Sequence, residues 1–218
     1  QINLNYESTQ QFNELLINNK NIEKLILSTN RTMGPDGIID ICPGIQHNVK
    51  ISQLILNPCF IGNEGSEALA NALFKNIDIK EINLDDNKIG LLGIKALSEK
   101  VLGKVSLIRI NLSHNLLDEE CGEYIGKSLE TANSLQYLLL NCNRLKDKGC
   151  IEISKGLEKN NSLIELQLDY NLITDTGINA LSKVLKNKEN LMYLGLSSNL
   201  ISEINDDFNE LFGWLRTI

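Results

Sequence analysis

Residues 107–115 read LIRINLSHN, and segments of the same form recur along the chain at an almost constant interval. Each has the pattern L-x-x-L-x-L-x-x-N/C, with Leu or Ile at the apolar positions. Successive segments begin 29, 28, 28, 28, 28 and 28 residues apart, at Ile22, Ile51, Ile79, Leu107, Leu135, Leu163 and Leu191. Repeats of this length predict a solenoid, in which each unit buries its apolar side chains only against its neighbours.

Spacing within one repeat predicts a strand followed by a helix. In L-x-L the apolar residues alternate with an exposed one, so Leu54 and Leu56 should point into the core. After a loop of nearly constant length and a Gly, apolar residues recur at helical spacing, as in Ala68, Leu69 and Leu73. We therefore expect an α/β solenoid shaped as a horseshoe arc, with parallel strands on the concave face and helices on the convex face.

The Asn that ends each segment has an amide group able to satisfy backbone groups where the chain leaves the sheet. Stacked copies should form a buried polar ladder. In the second repeat Cys59 takes this position, which the pattern allows.

The whole chain, residues 1–218, is expected to form a single domain. Residues 1–21 should cap its N-terminal end, residues 22–201 form the seven repeats, and residues 202–218 form a C-terminal capping helix, because the ends of a solenoid need a polar outer face. In the first repeat, Pro43 and Gly44 lie where other repeats have a helix, which predicts a short or broken helix there.

The 28-residue period, the N/C position and the helix in every repeat resemble the ribonuclease-inhibitor class of leucine-rich repeats, from Ile22 to Asn205. This class occurs in innate immune receptors, in Ran GTPase-activating protein and in effectors that intracellular bacteria inject into host cells. Abundant Asn, Ile and Lys indicate an AT-rich genome and fit a bacterial effector or a protist protein. The resemblance implies a protein-binding module.

The charge and composition of the chain limit the classes of partner that we expect. With 21 basic and 28 acidic residues, the formal charge is −7, which disfavours nucleic acid. No apolar run is long enough to span a membrane, and we expect neither a membrane nor a small-molecule partner. Five cysteines without a CxxC pair favour a reducing compartment, hence an intracellular, cytoplasmic location, which is the host cytoplasm for a translocated effector. The Cys121 and Cys150 thiols should be buried, with a disulfide between them as the alternative, and Cys142 should be exposed on the concave face.

Catalytic and metal-binding motifs are missing from the sequence. We therefore expect no enzyme activity, no cofactor and no metal. Asp85 and Asp86 lack the spacing of a calcium loop, and His47 has no neighbouring ligand. The alternative function is GTPase activation of the Ran-activating type, in which Arg31 would stabilise charge on the transferred phosphate; an innate-immune-type receptor domain is a further alternative.

Strand register predicts which residues face the partner. Three of the five tyrosines fall on the concave face, and interface energy concentrates in aromatic and Arg side chains. The predicted anchors are Tyr137, Tyr170 and Tyr193. The residues predicted to set specificity around them are Arg109, His114, Glu165 and Asp169.

Overall fold

A computed structural model describes residue 4 and residues 6–202 of the chain. Within this part, seven short parallel strands form one sheet in chain order. They are β1 (Lys24–Ile26), β2 (Gln53–Ile55), β3 (Glu81–Asn83), β4 (Arg109–Asn111), β5 (Tyr137–Leu139), β6 (Glu165–Gln167) and β7 (Tyr193–Gly195). Each strand pairs with the next one in register, position for position.

Helices connect the strands on the other side of the core. They are α1 (Tyr6–Asn18), α2 (Gly34–His47), α3 (Gly62–Leu73), α4 (Leu91–Leu97, continued by a π-helical turn at Ser98–Leu102), α5 (Cys121–Leu129), α6 (Lys146–Lys159) and α7 (Asp175–Leu185). The predicted α/β solenoid, with strands on the concave face and helices on the convex face, is confirmed.

A single apolar core runs between the sheet and the helices through all the repeats. The alternate strand positions supply one side of it: Leu54 and Leu56 are fully buried, as are Leu166 and Leu168. The helices supply the other side, for example with Leu69 and Leu73 of α3. Since no repeat buries these side chains alone, stacking of neighbours stabilises every unit.

The predicted ladder of asparagines is present, and its members are buried except for Asn199 in the last repeat, which is half-buried. Asn115 shows its chemistry: the side-chain oxygen accepts hydrogen bonds from the N–H groups of Asn87 and Ile89, at 3.1 and 2.9 Å. Its amide nitrogen donates to the carbonyls of Leu84 and Leu112, both at 2.9 Å. Each such Asn therefore links its own turn to the preceding repeat.

The prediction of a short or broken helix in the first repeat is wrong. Helix α2 runs unbroken over 14 residues and includes Pro43. Pro43 interrupts the hydrogen bonding of the helix, and the neighbouring helix α1 supplies a replacement acceptor: the N–H of Gly44 donates to Oδ1 of Asn13 at 2.7 Å. Gly44 lies so close to α1 that an added Cβ would meet the Cβ of Leu16 at 2.6 Å. Tight packing on α1 thus keeps the proline-containing turn helical.

Helix α1 covers the N-terminal end of the core. Leu16 is fully buried and Phe12 packs against the core, whereas Leu15 of the same helix is half exposed. The predicted C-terminal capping helix, residues 202–218, lies outside the described residues apart from Ser202 itself. The boundaries of the cap and repeat segments, and the single domain, stay predictions.

Candidate protein-binding face

The concave face consists of the solvent-facing residues of the seven strands and of the turns that follow them. In the five inner strands the middle residue is buried and its two neighbours are half-exposed. Strand pairing places Arg109, Tyr137, Glu165 and Tyr193 side by side in one row. The predicted residues from β4 to β7 are therefore brought together as the register required.

Tyr137 is only half-exposed because Arg109 covers it. The guanidinium carbon of Arg109 lies 3.9 Å from the centre of the Tyr137 ring, a close cation–π contact. The same guanidinium reaches Glu165, with Nη2 4.0 Å from Oε2. Tyr137 is thus part of a cluster with Arg109 and Glu165. This cluster presents the edge of the Tyr137 ring and the charge of the guanidinium to a partner, rather than the open face of the ring.

Tyr170 and Tyr193 are the exposed aromatic residues of this face, with 58% and 52% of their surfaces accessible. Tyr170 lies in the turn after β6 at a positive φ of 55°. Its N–H donates to the carbonyl of Ser197 at 2.9 Å, so the backbone of the turn is fixed while the side chain faces solvent. A rigid turn that displays an exposed aromatic ring lowers the entropy lost on binding.

Two of the predicted polar residues are held by neighbours. The N–H of Asp169 donates to Oδ1 of Asn141 at 2.9 Å, and Oδ1 of Asp169 accepts from the N–H of Ser197. Gln167 joins the set, since its amide donates to Glu165 and its oxygen accepts from Asn141. The two carboxylates are thereby fixed before a partner arrives.

His114 lies two repeats from Tyr170 along the same column of turns and pairs with Asp85, with Nδ1 2.8 Å from Oδ1. Sequence reasoning named His114 and left out Asp85, Asn141 and Gln167. The sequence does place these three residues at solvent-facing positions of the repeat, and this was the signal by which they could have been found. Their roles, however, depend on side-chain contacts between repeats.

Cys142 lies between these acidic groups and is half-buried. Burial raises the pKa of its thiol, and the charges of Asp85 and Asp169 raise it further. A thiol held protonated at neutral pH is a poor nucleophile.

The other four cysteines are free and buried, so the Cys121–Cys150 disulfide is not formed. Burial raises the pKa of the Cys121 and Cys150 thiols to about 12 and that of Cys59 to about 11. Among the described residues, no group of three or more His, Cys, Asp and Glu side chains is arranged to hold a metal. Likewise, none of the helices described could cross a membrane.

Arg31, the residue of the alternative function, is exposed beside the first strand. Its Nη2 lies 3.6 Å from Oδ2 of Asp86, and its guanidinium carbon lies 5.2 Å from the centre of the Phe60 ring. Lys88 approaches the same ring from 4.1 Å. Arg31 therefore belongs to a surface cluster at the edge of the solenoid, apart from the tyrosine residues.

Comparison with known proteins agrees with the repeat pattern. A family model described as leucine-rich repeat matches residues 75–98, 131–154 and 159–182. Actin-binding site 2 of leiomodin-1 matches with a TM-score of 0.54 at 21% identity, over 67% of this chain and 90% of that one. The tropomodulin C-terminal domain of Caenorhabditis elegans matches with a TM-score of 0.51 at 15% identity, over 80% and 91%. No curated protein sequence matches.

At these identities the structural likeness shows the fold alone. The family matches, the 28-residue period and the seven-stranded parallel sheet agree on one assignment. The fold is an α/β leucine-rich-repeat solenoid.

Proposed function

We propose that this chain is a protein-binding module that contacts its partner through the concave face. The observation that carries the proposal is the pair of exposed rings, Tyr170 and Tyr193, mounted on a sheet whose neighbouring polar groups already hydrogen-bond to one another. Aromatic residues on a pre-organised surface are typical anchors of protein interfaces. Tyr137 serves as a third anchor through its Arg109-covered edge.

Charge defines the kind of partner. Acidic side chains outnumber basic ones on the strands and the turns that follow them: Glu81, Asp85, Asp86, Glu165 and Asp169 against Lys24, Arg31 and Arg109, of which Arg31 pairs with Asp86. Two of these carboxylates, Asp85 and Asp169, lie close enough to Cys142 to add to the rise in its pKa that burial causes. Complementarity therefore favours a partner segment that carries Lys or Arg among apolar residues.

The direct test uses single and triple alanine variants of the tyrosines against an identified, purified partner. Each Tyr→Ala change should weaken binding by about 1 to 3 kcal/mol while leaving the melting temperature nearly unchanged. Leu92→Ala on α4 is the matched control, since Leu92 is an exposed apolar residue of the convex side. Unchanged affinity in the triple tyrosine variant would refute the assignment of the site.

Cys142 offers an independent readout. It is half-buried whereas the other four thiols are buried, so a thiol reagent should label it selectively. A partner seated on the concave face should slow this labelling, and a partner on the convex face should not.

As a finer proposal, the partner is a host protein and this chain an effector of an intracellular bacterium, acting in the host cytoplasm. Its support is the composition and the repeat class. Host lysate is thus the first source of partners, and actin belongs in the first screen because the leiomodin-1 segment of similar fold is an actin-binding site. Receptor-type recognition would use the same face.

GTPase activation is the second candidate function, supported by the exposure of Arg31. Its test is hydrolysis by a panel of purified small GTPases. Stimulation that is lost in Arg31→Ala and retained in the tyrosine variants would favour it over the binding module; no stimulation would exclude it for that panel.

A further inference from the structure

A row of exposed aliphatic side chains lies on the rim of the solenoid, outside the concave face. Val49, Ile77 and Val105 occupy the same position in three successive helix-to-strand connections, 28 residues apart. Their exposed fractions are 50%, 75% and 85%. Because they occupy equivalent positions of stacked repeats, the three side chains lie in one column along the rim.

The connections that carry this row are firmly held. Asn76, which is buried, donates to the carbonyl of Ile51 at 3.1 Å and accepts from the N–H groups of Asp78 and Ile79 at 2.8 and 2.7 Å. The turn wraps around this side chain, which directs the intervening Ile77 outward. Asn48, also buried, precedes Val49 and donates to the carbonyl of Asn19 at 2.7 Å.

Later repeats show that the fold does not require an aliphatic residue here. Asn160 is buried and organises its turn as Asn76 does, and the outward residue that follows is Asn161. The corresponding residues of the fourth and sixth repeats are Asn133 and Glu189. Exposing Val and Ile in the first three repeats, where polar residues fit equally well, indicates a surface that contacts something apolar.

Lysines surround the row. The connections before β1 to β4 (residues 19–23, 48–52, 74–80 and 103–108) carry five lysines and two acidic residues, in a chain of net charge −7. These lysines are Lys20, Lys50, Lys75, Lys80 and Lys104. Within the described residues, the ammonium groups of Lys50, Lys75 and Lys80 make no hydrogen bond or ion pair.

Phe74 extends the apolar surface. It ends α3, is more than half exposed, and its carbonyl accepts a hydrogen bond from Nζ of Lys104 at 2.9 Å. The rim therefore combines aliphatic and aromatic side chains with unpaired ammonium groups, as surfaces that bind anionic apolar partners do.

We propose that this rim docks on an anionic lipid surface, with the aliphatic row in the headgroup region and the lysines on the acidic headgroups. Exposure favours lipid over a peptide: Ile77 and Val105 are too exposed to lie in an enclosing pocket, and such pockets are what peptide anchors need. A bilayer interface is deformable and accepts an exposed row of this kind. Such docking needs no spanning helix, so it departs from the expectation of no membrane partner, which rested on the lack of a spanning segment. The concave face stays open at the side of such a contact.

The test is flotation of the whole chain with vesicles of phosphatidylcholine, and with vesicles in which about a third of the lipid is phosphatidylserine. We expect flotation with the anionic vesicles only, weakening as salt is raised. The triple variant Val49→Asn, Ile77→Asn, Val105→Asn adopts the residue type of later repeats, so it should keep its circular dichroism and melting temperature. Its partitioning should fall by about tenfold or more.

The matched control removes exposed leucines from the opposite rim, as Leu116→Asn with Leu172→Asn, and should float like the parent. Lys50→Glu with Lys80→Glu should abolish the preference for anionic vesicles. Absence of flotation, flotation unaffected by the triple variant, or equal flotation with neutral vesicles would each overturn the proposal. Binding of an acidic protein that the triple variant abolishes, without vesicle binding, would assign the rim to a protein instead.

Discussion

Replacing Asn115 by Ala tests whether the asparagine ladder holds the repeats together. The change removes the shared partner of two buried N–H groups, those of Asn87 and Ile89, and of the Leu84 carbonyl. All three belong to the preceding repeat. The carbonyl of Leu112 keeps a donor, because Asn143 also binds it at 3.0 Å.

An unsatisfied buried group costs about 1 kcal/mol at the low end, so three of them predict a loss of about 3 kcal/mol in the free energy of unfolding. For a chain of this size, that loss corresponds to a fall of about 6 to 12 °C in melting temperature. Asn115→Cys should be intermediate, because the Cys59 thiol donates to the carbonyl of Leu27 at 3.0 Å in the second repeat.

The measurement is guanidinium and thermal unfolding followed by far-ultraviolet circular dichroism. Asn133→Ala makes the same chemical change at an exposed position and should alter stability by less than about 0.5 kcal/mol. Equal stabilities for the Asn115→Ala and Asn133→Ala variants would refute the view that these side chains bind the repeats together.

Three further predictions concern packing and thiol chemistry. Gly126→Ala should destabilise the protein by about 2 kcal/mol or more, because an added Cβ would lie 2.2 Å from a carbonyl oxygen of α6. Gly90→Ala is the control and should have a mild effect, because the atom nearest to its added Cβ lies at 3.6 Å. Similar melting curves for the two variants would contradict this prediction. Leu168→Asp should prevent folding by burying an unpaired charge, and a native circular dichroism spectrum would show otherwise. Alkylation of Cys142 at neutral pH should be slower than alkylation of a peptide thiol, because the pKa of Cys142 is raised. In Asp85→Asn it should be faster than in the parent protein, because removing the negative charge lowers that pKa and increases the thiolate fraction. An unchanged rate in Asp85→Asn would show that Asp85 is not a cause of the shift.

Much of the fold follows from the 28-residue period. Alternation in each L-x-L segment decides which residues are buried, and parallel pairing of equivalent residues then sets the columns of the sheet. For this reason the row from Arg109 to Tyr193 could be predicted from the sequence. The asparagine ladder was predictable as well, because an amide at a fixed turn position meets the same backbone groups in every repeat.

Tertiary structure decided what depends on contacts between particular side chains of neighbouring repeats. Asn13 accepts the Gly44 N–H and keeps α2 intact beyond Pro43, which no local pattern shows. Arg109 covers the ring of Tyr137, whereas the ring of Tyr170 is exposed. The repeat pattern places both tyrosines at solvent-facing positions and does not distinguish them. The period fixes where each Cα lies, whereas exposure depends on side-chain rotamers and on the residue one repeat away, and these are set only when the repeats stack.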